Sequence, residues 1–80
     1  MPQLSQVIRI LRTTLGLGQM PLEASTPLLG SLPELDSMAV ANLILALEQS
    51  YGFEVRDDEI SARHFATVGS LAAFVDSKLA

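Results

Sequence analysis

The chain contains no cysteine, so no disulfide braces it and any thiolate chemistry must come from an added group. Bases are scarce: five Lys and Arg stand against nine Asp and Glu, for a net charge of −4. Without a Lys/Arg cluster the chain is a poor nucleic-acid binder, because that affinity is built mainly on neutralised phosphates. Cationic protein partners suit the charge better. His64 is the only histidine. A Ser-His-Asp site would need Asp36, Ser37 and His64 to converge, and no nucleophile-elbow glycines surround the serine. The favoured reading leaves His64 as a surface or edge residue beside a short helix. No apolar run approaches the roughly 20 residues that span a bilayer. The first residues lack the basic-then-apolar secretory pattern, so the expected location is cytoplasmic. Asp57, Asp58 and Glu59 are consecutive, whereas a calcium loop spaces its ligands at alternate positions. A solvated helix start is expected there, and no metal site.

What the chain does contain is apolar surface in helical register. Eighty residues, 49% of them hydrophobic, make one domain over 1–80 with a single modest core. Leu4, Val7, Ile8, Leu11 and Leu15 form one stripe and predict a helix over 3–15, ended by Gly16 and Gly18. From Gly16 to Leu35, Pro21, Pro27, Gly30 and Pro33 forbid a long regular element. Seven Leu and Met side chains in that stretch nevertheless predict a loop lying on the core, with a short helical turn opened by Thr26-Pro27. Nine of the ten residues from Met38 to Leu47 are hydrophobic. A second helix from Ser37 to Ser50 or Tyr51, stopped by Gly52, should therefore be central, or else leave apolar surface exposed near Ser37. Tyr51 and Phe53 read as core residues, Phe53 to Val55 as an extended connector and Asp57 to Ile60 as a short helical turn. Thr67 should cap a last helix to about Leu79, buried through Val68, Leu71, Ala72 or Phe74, Val75 and Leu79. The expected fold is all-α: a small bundle of three main helices and one short helix, with a long loop after the first.

Asp36-Ser37 stands at the mouth of the apolar second helix. A hydroxyl there sits at the positive end of the helix dipole, beside N–H groups without intrahelical partners, which is a good place to carry a phosphate. The plain alternative is that Asp36 or Ser37 only caps the helix.

Leu35-Asp36-Ser37-Met38, followed by Asn42-Leu43-Ile44-Leu45-Ala46-Leu47-Glu48 and Tyr51-Gly52, resembles the acyl carrier protein family. So does Phe65-Ala66-Thr67-Val68-Gly69-Ser70-Leu71, which is similar to the Thr-Val start of that family's last helix. The resemblance covers the whole chain and implies a four-helix carrier, not an enzyme. It implies a covalent 4′-phosphopantetheine on Ser37, taken from coenzyme A by a phosphopantetheinyl transferase, with Asp36 orienting the serine and the transferase-bound metal. The arm's thiol would hold acyl groups as thioesters and supply the sulfur the chain lacks. Leu35, Met38, Ala39, Val40 and Asn42 would meet partner enzymes. Leu29, Leu35, Met38, Ile44, Leu47 and Phe65 would shelter an acyl chain.

Ala39 and Asn42 stand where fatty-acid carriers usually place acids, and Glu34-Leu35 where many carriers have Gly-Ala or Gly-Gly. The implied role is therefore a specialised, stand-alone, monomeric carrier loaded by an AMP-forming ligase and not the housekeeping fatty-acid carrier. The alternatives are an aminoacyl, D-alanyl or peptidyl carrier and an unmodified helical interaction domain.

Overall fold

The stripe of Leu4, Val7, Ile8, Leu11 and Leu15 winds into helix α1 (Leu4–Leu15). A second helix, α2, spans Ser37–Tyr51 and a third, α3, spans Val68–Leu79. These come from a computed structural model, which describes residues 3–33 and 35–80; Glu34, read above beside Leu35, lies outside the described residues. α1 packs against both α2 and α3. Gly16 and Gly52 end α1 and α2 in left-handed conformations, φ 65° and 74°, that cost a residue with a Cβ about 1–2 kcal/mol.

Among the described residues the regular structure is helical, apart from an isolated bridge between Pro27 and Thr67. The short helix expected at Asp57 to Ile60 is a single 3-10 turn, Asp57–Glu59, and a second such turn follows at Ala62–Phe65. Neither is long enough to bury a stripe, so the bundle rests on three helices and the loop.

That loop is pinned by backbone and by leucine. Leu17, Leu22, Leu28 and Leu35 are buried. Arg12 donates from Nε and Nη2 to the Met20 carbonyl at 3.2 and 3.1 Å, fastening the loop's start to α1. Further on, the N–H groups of Leu28 and Leu29 bond the carbonyls of Ala66 and Phe65, while those of Val68 and Gly69 bond the carbonyls of Thr26 and Ala24. Thr26-Pro27 therefore does not open a helical turn. Proline lacks an N–H but can still be extended beside another segment, and the chain instead makes a non-helical turn after it, with Gly30 left-handed at φ 84° and the Leu28 carbonyl accepting from Ser31 and Leu32.

The most deeply packed helix is α3, not α2. Val68, Gly69, Leu71, Ala72, Phe74 and Val75 are buried along α3, against only Leu43 and Leu47 along α2. The 12-residue α3 has neighbours on two sides, α1 and the loop, whereas much of the apolar surface of α2 faces outward. Leu79 is another correction: the last residue of α3, it is 44% exposed and not part of the buried stripe. Thr67 caps α3 as expected. Its hydroxyl accepts from the Ser70 N–H at 3.0 Å and the Ser70 hydroxyl accepts from the Thr67 N–H at 3.1 Å, a reciprocal cap.

Candidate functional site

Two residues meet at the start of α2, and only one is occupied by the helix. Asp36 is extended (φ −96°, ψ −176°) and its Oδ1 accepts from the Ala39 N–H at 2.8 Å, satisfying one of the orphan donors of the first turn. Ser37 is the first helical residue and is exposed. Among the described residues no hydrogen bond engages its hydroxyl. The hydroxyl is therefore presented to solvent at the positive end of a 15-residue helix dipole. A phosphodiester fits this position: it needs an accessible oxygen, room outside the core and a local field that favours negative charge.

The surroundings sort the other candidates. Met38 is 74% exposed and Asn42 is exposed, while Ala39 and Val40 are half-buried on the core side of the same turn. Leu35, expected at the docking surface, is instead buried at 5% exposure, because it anchors the end of the loop. Of the acyl-shelter residues, Leu47 and Phe65 are buried and Ile44 is half-buried against the core. Leu29 and Met38 are not interior residues. Leu29, 43% exposed, sits on the turn that follows the Pro27 bridge and points its bulk outward, and Met38 follows Ser37 on the open face of α2. The surface clefts along α1 and beside His64 are lined by none of Asp36, Ser37 or Met38.

His64 packs instead of catalysing. Its half-buried ring tilts onto Phe74 with centroids 4.5 Å apart, and among the described residues no hydrogen bond links it to Asp36 or Ser37. Tyr51 and Phe53 stack at 5.7 Å and 2°, half-buried, with the Lys78 ammonium 5.9 Å from the Phe53 ring centre. Glu59, one of the three consecutive acids, pairs with Lys78 at 2.8 Å; that hydrogen bond chiefly holds its carboxyl below the usual range. The feature that sequence reasoning missed is the exposed Leu45, 51% accessible, which continues the open face of α2 from Met38. Its signal was the lack of any polar face on that helix.

The family model for the phosphopantetheine attachment site matches residues 5–75. Among solved structures, the chain is similar to a holo acyl carrier protein from Nitrosomonas europaea, with 56% identity and a TM-score of 0.92 over 99% of this chain and 98% of that one. It is also similar to a holo acyl carrier protein from Geobacter metallireducens, with 30% identity and a TM-score of 0.80 over 99% of this chain and 87% of that one. No curated protein sequence matches it significantly. A family match over most of the chain, together with a helix mouth that frees one hydroxyl, leads to one statement: the chain belongs to the acyl carrier proteins, which are carriers and not enzymes.

Proposed function

We propose that Ser37 bears a 4′-phosphopantetheine arm and that the protein carries acyl groups on it as thioesters between partner enzymes of a specialised pathway. One observation carries the assignment to Ser37. Capping is done by Asp36, so the Ser37 hydroxyl is exposed and unused by the helix. In the loading reaction Ser37 Oγ bonds the pantetheine-side phosphorus of coenzyme A. The pyrophosphate P–O bond breaks, Oγ gives up its proton, and adenosine 3′,5′-bisphosphate leaves. Asp36 holds the serine at the helix mouth and supplies a carboxylate beside it. The bound group supplies a thiol, which a chain without cysteine cannot.

The cargo's apolar part is sheltered past half-buried Ile44, with Leu47 and Phe65 behind it, by parting a core that is otherwise closed. No described helix is long and apolar enough to cross a membrane. On this proposal the carrier works in the cytoplasm as a monomer. Ala39 and Asn42 in place of acids support a dedicated pathway with an AMP-forming ligase as the loading enzyme.

Intact mass spectrometry before and after incubation with coenzyme A and a promiscuous phosphopantetheinyl transferase tests the assignment. The expected result is the gain of one phosphopantetheine, absent in Ser37→Ala. A Ser37→Ala protein that still gains the arm sinks the proposal, as does a folded wild type that gains nothing. Offering the holo form to ligases charged with fatty acids or with amino acids then separates an acyl carrier from an aminoacyl one.

A further inference from the structure

The side of α2 turned away from the core carries large apolar side chains beside the polar Asn42, Gln49 and Ser50. Met38 is 74% and Leu45 51% exposed, and Ala41 lies exposed between them. Spacings of three and four put the three on one face, with exposed Asn42 alongside. Of its 15 residues α2 carries one charged side chain, Glu48, and that carboxylate accepts from the Val55 N–H at 2.8 Å, about three turns from Ser37. Beside the serine, the Asp36 carboxylate is engaged by the Ala39 N–H. The exposed acids Glu54, Asp57 and Asp58 follow the other end of α2.

Any enzyme that acts on a group borne by Ser37 must bring its active-site mouth over that serine, and Met38 is the next residue. The stripe is thus continuous with the surface such an enzyme covers. Resting on the assignment of Ser37 above, we propose that the outer face of α2 is docked by an apolar, uncharged surface of the partner enzyme and not by a basic patch. Charge complementarity decides the occupant. A Lys/Arg cluster pressed on Met38, Ala41 and Leu45 would be desolvated against side chains that carry no charge, with the exposed Asp36 at the helix mouth its nearest described carboxylate, whereas an apolar surface loses nothing by leaving water. The net −4 of the chain then steers encounter weakly from a distance and contributes little to the contact itself.

The test uses the apo protein, the phosphopantetheinyl transferase of its own host and saturating coenzyme A. The readout is kcat/KM for arm transfer between about 0.05 and about 0.5 M NaCl, a range that cuts the Debye length roughly threefold. The expected result is a change of less than about threefold across that range, as for a contact without ion pairs. Met38→Glu and Leu45→Glu should each lower kcat/KM by about tenfold or more, with melting curves unchanged because both side chains are exposed. Met38→Leu, which keeps the side chain apolar, should lose far less than Met38→Glu. A fall of about tenfold with salt, or Glu variants at the wild-type rate, overturns the proposal. So does a dimer in sedimentation that Leu45→Glu dissolves, since the stripe would then belong to a second copy. A wild type that accepts no arm condemns the Ser37 assignment itself, and this inference with it.

Discussion

Asp36 and Ser37 divide the two tasks a helix mouth offers: one carboxylate spends itself on the backbone, and the hydroxyl beside it stays available. The same accounting, applied to the buried side-chain polar atoms of the described residues, singles out Tyr51. Its hydroxyl is buried and has no hydrogen-bond partner among the described residues. Burial, and secondarily the Asp76 carboxylate, push the phenol above the usual tyrosine value. An unpartnered buried hydroxyl costs desolvation without a return bond. Tyr51→Phe should therefore leave stability unchanged or raise it by up to about 1 kcal/mol, keeping the stack on Phe53. The pH dependence has a definite sign. Below about pH 10 both folded and unfolded chains hold the phenolic proton, so the residue adds no slope. Above it the unfolded chain loses the proton first, and stability falls as pH rises toward the folded-state value. Melting curves at about pH 9 and about pH 11 should show a loss in the wild type that Tyr51→Phe reduces. An equal loss in both proteins would show that Tyr51 does not carry it.

At the scale of elements, the loop between α1 and α2 is held as firmly as a helix, and its closest approach is at Gly69. The Gly69 N–H reaches the Ala24 carbonyl at 2.7 Å, and a Cβ built on Gly69 would lie 2.8 Å from that same oxygen. In an exposed helix, glycine to alanine adds about 1 kcal/mol of stability. Here the backbone oxygen cannot swing aside as a side chain would, so overpacking wins. Gly69→Ala should destabilise by about 1–3 kcal/mol, read as a fall in Tm of about 4–8 °C per kcal/mol for a domain of this size. A Tm at or above that of wild type would mean that the loop yields and is not a strap. This contact also marks the limit of what the sequence made legible. The stripes of α1 and α3, the Thr67 cap and both terminating glycines were readable, because periodicity and capping are local properties of the chain. That the loop lies on the core was readable from its leucines. Which leucines turn inward was not: Leu28 is fully buried and Leu29 43% exposed, and that choice is made by Ala66 and Phe65, some 37 residues away. Of the two readings of α2, central burial failed and apolar surface left exposed near Ser37 held, at Met38 and Ala41, for a related reason. Hydrophobicity on every face predicts burial only where there are enough neighbours to cover it, and α2 lacks them at Met38 and Leu45. The Asp36-Ser37 pair was legible as a place, while its division of labour required geometry.

For the molecule as a whole, charge is distributed unevenly along the chain. Residues 1–35 carry two bases and two acids, so the entire net −4 arises after Leu35, chiefly from Glu48 to Glu59. With principal extents of 28 × 25 × 21 Å, α2 at about 1.5 Å per residue crosses the molecule. The Val55–Glu48 and Glu59–Lys78 bonds tether the acidic segment to the last turns of α2 and α3, at the end away from Ser37. Exposed Asp57, Asp58 and Glu54 there repel one another through water, and the partly buried ion pair Lys78–Glu59 opposes them with a surface pair's modest strength. Salt weakens both, but the repulsion has more members and less shielding by geometry, so its relief should dominate. Melting at neutral pH should therefore move upward as NaCl or KCl rises from about 0.05 to about 0.5 M, by a few degrees, about 1 kcal/mol or less. Lys78→Ala, which removes the opposing pair, should steepen that rise. A melting temperature that falls with both salts would show that the ion pair outweighs the crowded acids, and the charge at this end would then have to be counted as part of what holds the bundle closed.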